Sequence, residues 1–140
     1  MPKVLLDTDT LSEIFKERDG VVLVRAEKYL LQHDLLSFMS VSASELLFGL
    51  YAKDAKNQIS RAKRFLTAHE ELVPTSKDYW FVAEINAALR SAGKPIGDAD
   101  AMIAACAINR GLPVATGNTR HFEFVVEAGF RVKLENWRED

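Results

Sequence analysis

Apolar residues recur along the chain in two rhythms, and the alternation between them lays out the fold. Short unbroken runs read as buried strands. Val4-Leu5-Leu6 is the first, closed by Asp7. Leu36-Ser37-Phe38-Met39-Ser40-Val41 is the second and Val114-Ala115-Thr116 the third. Leu72-Val73, ahead of Pro74, predicts another short strand, and residues 130–134 alternate as an edge strand would. Between these runs the spacing is helical. Leu11, Ile14 and Phe15 predict a short helix broken at Gly20. Val22, Ala26, Tyr29 and Leu30 predict a helix over 21–33, and Leu46, Leu47 and Leu50 one that starts near Ser42. Further helices are predicted over 55–69, 76–92, 98–110 and 119–128. The 98–110 helix is rich in Ala, which allows close packing against a sheet, and Gly111 closes it.

Strands separated by helices throughout predict an α/β domain, with a mainly parallel central sheet flanked by α-helices. The 140 residues are the size of one domain, and no linker or repeat divides them. In such sheets functional residues gather at the carboxyl ends of the strands. Asp7 and the segment after Thr116 are therefore the first places to look for chemistry.

Composition narrows the classes. Apolar residues make up 48% and charged residues 27%, which is globular rather than disordered. The net charge is −2, so bulk positive charge cannot be what holds a nucleic acid. One Cys excludes an internal disulfide and a Cys-based zinc site. No apolar run is long enough for a membrane span. An acid arrives too early, at Asp7, for a signal peptide, so the expected location is the cytoplasm.

Acidic residues stand at element ends. Asp7 comes directly after the first strand. Asp9 and Thr10 read as caps of the helix that begins at Leu11, since Thr10-Leu11-Ser12-Glu13 has capping-box form. Ser42-Ala43-Ser44-Glu45 has the same form, which gives Glu45 a capping reading beside a functional one. Asp98 is a natural N-cap, and Asp100 then lies in the first turn, where the helix dipole favours an anion. Two acids there exceed what capping requires. Asn118 suits an ordinary turn, with Thr119 capping the next helix. Brought together, several carboxylates repel one another unless a cation neutralises them. Oxygen donors suit Mg²⁺ or Mn²⁺. His33, His69 and His121 have no partner at metal-ligand spacing, and Cys106 lies among Ala and Ile as packing. Nucleotide-binding glycine loops and a nucleophile elbow are absent.

The order of these segments resembles the PIN-domain nucleases, and within them the VapC-type toxins of toxin–antitoxin pairs. The resemblance rests on Asp7-Thr8-Asp9-Thr10 after a strand, Val41-Ser42-Ala43-Ser44-Glu45-Leu46, Gly97-Asp98-Ala99-Asp100-Ala101-Met102-Ile103, and Ala115-Thr116-Gly117-Asn118-Thr119-Arg120-His121-Phe122. It implies a single PIN-like domain over residues 1–140. It matches Asp7, Glu45 and Asp100 to the family's catalytic, metal-holding acids. Asp98 is an extra acid, a further metal ligand or a cap. Asn118 stands at the fourth position; it keeps an oxygen but drops a charge, which counts against tight binding of a second metal. Asp9 stands where the family often has Asn and is given no catalytic role.

The chemistry so implied is Mg²⁺- or Mn²⁺-dependent hydrolysis of RNA phosphodiesters, leaving a 5′-phosphate and a 3′-hydroxyl. Thr8 and Thr116 are expected to hydrogen-bond a ligand, and Arg120 and His121 to touch phosphate. The resemblance also implies a homodimer and a small antitoxin partner. Leu46, Leu47, Phe48, Leu50 and Tyr51 read mainly as core, with part of that surface left for such contacts. Lys53, Lys56, Arg61, Lys63 and Arg64 read either as an RNA grip or as a solvated helix face. Two rival readings stand beside the nuclease. Asp7-Thr8-Asp9 imitates the start of haloacid-dehalogenase-like phosphatases, but Leu11 departs from that pattern and Glu45 would have no role there. A PIN-like fold kept for binding without turnover is the other.

Overall fold

A computed structural model describes residues 1–139. Five short strands form one sheet in the order β3-β2-β1-β4-β5, with every neighbouring pair parallel. They are β1 (Leu5–Leu6), β2 (Ser37–Met39), β3 (Glu70–Leu72), β4 (Val114–Ala115) and β5 (Leu134–Glu135). Seven helices connect them: α1 (Thr8–Lys16), α2 (Gly20–His33), α3 (Ser40–Ala52), α4 (Lys56–Thr67), α5 (Ser76–Ser91), α6 (Asp98–Arg110) and α7 (Thr119–Glu127). The expected α/β architecture is the observed one.

A parallel sheet needs cover on both faces, and the period of two along each strand distributes the side chains. Val4, Leu6, Phe38 and Ala115 enter a core on one side, with α1 to α4. Leu5, Met39 and Val114 enter a second core on the other side, with α5, α6 and α7. Residues Ala101 through Ala107 of α6 are all buried, which the run of small side chains permits. Cys106 is one of them. Its Sγ lies 3.7 Å from Met102 Sδ, and burial pushes its thiol up to about 12.

Several boundaries differ from those expected. Gly20 is not a break but the first residue of α2; Asp19 caps that helix through its side chain, and Glu17, in the left-handed region, ends α1. The edge strand sits at Leu134–Glu135 rather than over 130–134, because the ladder extends only where the two residues of β4 supply partners. His69 lies past the end of α4 and not in a helix over 55–69: its Nδ1 accepts the Leu36 amide at 3.0 Å in the connection ahead of β3. Arg61 lies over the Phe15 ring at 4.2 Å and Lys63 over Tyr51 at 5.7 Å, so these basic side chains pack on their own surface. Among the described residues no helix is long and apolar enough to cross a membrane.

Candidate active site

The register of β1 against β4 brings together the residues at the carboxyl ends of the two strands. Leu6 pairs with Ala115, and the Asp7 amide donates to the Ala115 carbonyl at 3.0 Å. Asp7 is only 2% exposed. Its Oδ1 accepts the Thr10 amide at 2.8 Å, which makes Asp7 itself the N-cap of α1. That corrects the expectation that Asp9 and Thr10 cap a helix starting at Leu11. The helix starts three residues earlier, and one carboxylate serves the cap and the site together. Asp7 Oδ2 accepts the Thr116 hydroxyl at 2.5 Å, and Thr116 Oγ1 accepts the Asn118 amide at 2.9 Å. Burial raises the Asp7 carboxyl to about 6; the Thr116 and Thr10 hydrogen bonds pull it down, and the charge of Asp9 pushes it up.

Glu45 reaches the same end of the sheet from α3. That helix begins at Ser40, two residues before the expected cap, and Met39 at its N-cap makes no side-chain bond. Ser42 and Glu45 are thus freed from the capping box and meet Thr8 instead. Thr8 Oγ1 lies 2.6 Å from Glu45 Oε1 and 2.9 Å from Ser42 Oγ. A hydroxyl has one proton, so Thr8 donates to the carboxylate and accepts from Ser42.

On the other side stands α6. Gly97, at φ +90°, is its N-cap, so Asp98 is its first residue and not its cap. Asp100 Oδ2 lies 2.7 Å from His121 Nδ1, and the Asn118 side-chain nitrogen lies 3.2 Å from the same ring atom. Asn118, and not Thr119, is at the N-cap of α7. One ring nitrogen carries either a proton or a lone pair, so it does not bond both groups: Asp7, Thr116 and Asn118 form one hydrogen-bonded run, and the His121–Asp100 pair lies beside its end. Asp98 turns aside to Asn86 of α5, at 3.2 Å. Arg120 is exposed, with its guanidinium 5.8 Å from the Phe124 ring centroid.

The donors gathered at this end are mainly hard oxygens, which suits Mg²⁺ or Mn²⁺. Among the described residues no three His, Cys, Asp or Glu side chains stand close enough to hold a metal ion as they are placed. Asp100 is engaged with His121 and Glu45 with Thr8. Every buried side-chain polar atom among the described residues has a partner.

Family comparison decides what this arrangement belongs to. The PIN domain family matches residues 4–126. The chain belongs to that family. Within it the chain is of the VapC type. It is 30% identical over 138 residues to "tRNA(fMet)-specific endonuclease VapC" of Salmonella typhimurium, covering 98% of this chain and 99% of that protein. It is 32% identical over 133 residues to "VapC ribonuclease Y4jK" of Sinorhizobium fredii, covering 86% and 90%. Among solved structures, DNA-bound VapBC from Salmonella typhimurium superposes with a TM-score of 0.81 at 28% identity, over 98% of this chain and 99% of that one. Family membership replaces the phosphatase-like reading. His121, expected to touch phosphate, lies against Asp100 instead. One neighbour of this PIN-domain site escaped sequence reasoning. Arg138 forms an ion pair with Asp9 at 2.9 Å and carries no local signal at all.

Proposed function

We propose that this PIN domain is an endoribonuclease that hydrolyses RNA phosphodiester bonds with Mg²⁺ or Mn²⁺, acting in the cytoplasm as the toxin of a VapBC-type pair. The observation that carries the reading is Asp7: a buried carboxylate with no basic partner among the described residues, hydrogen-bonded to Thr116, with Asn118 and the His121–Asp100 pair beside it. Its VapC-type relatives, bearing ribonuclease names, match nearly the whole chain.

Asp7, Asp100 and Glu45 are the residues to hold the cation, with the Asn118 side-chain oxygen as a neutral donor. A cation so held offsets phosphate charge and acidifies water. Thr116 and Thr8 fix the orientations of Asp7 and Glu45, and His121 that of Asp100. These threonines thus serve the carboxylates first, ahead of the substrate contact expected of them. Asp98, bonded to Asn86, adds charge at the start of α6 as an outer ligand. Arg120 is the side chain for backbone phosphate. Phe48 and Tyr51 on α3, and Tyr79 and Trp80 on α5, are exposed and offer apolar surface to a small antitoxin and to a second copy.

Cleavage of total tRNA and rRNA on a denaturing gel tests this, with Mg²⁺, Mn²⁺ and EDTA lanes and a folded Asp100→Asn control. Discrete bands are expected that need metal and vanish in the variant. Metal-independent RNA binding without cleavage would favour a PIN domain that binds without turnover. Equal cleavage by the variant would remove the site.

A further inference from the structure

The segment after β5 returns to the mouth of the site, and its placement is fixed by packing. Trp137 is 1% exposed, lies in the first core, and has its ring 5.5 Å from that of Tyr29. With Trp137 anchored, the next residue has little freedom. The Arg138 amide donates to Asn136 Oδ1 at 2.9 Å, and its side chain extends over the start of α1.

There the guanidinium meets three carboxylates. Arg138 Nη2 donates to both oxygens of Asp9, at 3.1 and 2.9 Å, and lies 3.5 Å from Glu13 Oε1. Arg138 Nη1 lies 3.4 Å from Asp19 Oδ2. An arginine so surrounded has no spare charge for a phosphate backbone, which argues against a direct substrate contact.

Gly117 supplies a second, independent observation. It lies between Thr116, which donates to Asp7, and Asn118, which stands beside His121. A Cβ at Gly117 would fall inside contact distance of the Arg138 side chain and 2.8 Å from Asp9 Oδ2. The Arg138–Asp9 pair therefore lies directly against the backbone of the site loop. Asp9 also stands in the first turn of α1, two residues after its N-cap Asp7.

We propose that Arg138 is a positioning residue for the nuclease: it cancels the Asp9 charge at the mouth of the site, so that Asp9 neither competes for the cation nor repels RNA. This role presupposes the ribonuclease reading. Removing the guanidinium leaves an unpaired carboxylate beside Asp7, so cation affinity rises while productive RNA binding falls. Removing the Asp9 charge as well restores both.

The test is a double-mutant cycle on the full chain, with Arg138→Ala, Asp9→Asn, the double variant and Arg138→Lys. Each is assayed for kcat and KM on RNA, for Mn²⁺ affinity by electron paramagnetic resonance, and for Tm. Arg138→Ala is expected to lower kcat/KM about tenfold, mostly through KM, and to tighten Mn²⁺ binding. The double variant is expected to return within about twofold of wild type, and Arg138→Lys to retain most activity. Should Arg138→Ala fail to fold, Arg138→Gln repeats the cycle. An equal loss in the Asp9→Asn background would make Arg138 an RNA contact and overturn the proposal. A lowered Tm with unchanged kcat/KM and Mn²⁺ affinity would make it a structural tie only. Wild-type protein that neither cleaves RNA nor binds Mn²⁺ would instead overturn the ribonuclease reading itself.

Discussion

Asp7 and Asp78 are two aspartates buried to the same degree, at 2% and 1% exposure, whose carboxyls are shifted in opposite directions. Both sit at helix starts, Asp7 as the N-cap of α1 and Asp78 in a capping box with Thr75 on α5. Burial pushes both carboxyls up. At Asp78 the donors outweigh it: Arg110 at 3.1 Å, the Thr75 amide at 2.7 Å and Asn109 at 2.8 Å hold it well below the usual carboxylate range. Asp7 receives only a hydroxyl and an amide, with Asp9 opposing, and rises to about 6. Burial alone therefore does not set the chemistry of a carboxylate. The chain supplies Asp78 with its own cation and, among the described residues, gives Asp7 none.

The largest test of this contrast is Asp7→Asn, expected to lower RNA cleavage about a thousandfold or more. Asn caps a helix as well as Asp, so the fold should persist by circular dichroism. Asp78→Ala should do the reverse. It strands Arg110, costs about 3 kcal/mol in denaturant unfolding, and leaves cleavage per folded molecule unchanged.

Linkage gives the next effect. A carboxyl raised on folding contributes stability that is fully present below pH ~4 and lost as pH rises through about 6. Without divalent cation, the wild type should thus lose about 3 kcal/mol over that window, and Asp7→Asn should not. Asp78 has the opposite sign; its contribution is lost only as pH falls below the ordinary carboxylate range. The smallest effect is at Thr116→Val. It removes a donor to ionised Asp7 worth about 1.5 kcal/mol, and should move the acid limb of the cleavage profile up by about one pH unit. An unmoved limb would mean Asp7 is not the titrating group.

Much of this was legible because parallel sheets write themselves locally. Val4-Leu5-Leu6 and Val114-Ala115 could be little but buried strands, and the 98–110 helix agrees at both ends. Asp7, Glu45, Asp100 and Asn118 emerge from strand ends and family pattern together. The caps were misread for two physical reasons. Asp7 performs two tasks where local rules allot one, and α3 begins before its Ser-x-x-Glu signature because β2 runs straight into it. Arg138 and His121 were missed as partners because their carboxylates lie 129 and 21 residues away in sequence. Only the strand order brings those segments together.

The depth of Cys106 has a practical consequence. Its thiol sits in the α6 core with no exposed surface and is held protonated across the physiological range. A thiolate-directed reagent can reach it only when the packing of α5 and α6 opens. The chain thus carries its own clock for opening of the second core: the alkylation rate counts excursions from the native state through the one thiol of the chain. Compared with and without divalent cation, that rate would show whether filling the Asp7 end of the sheet steadies the helix that bears Asp100.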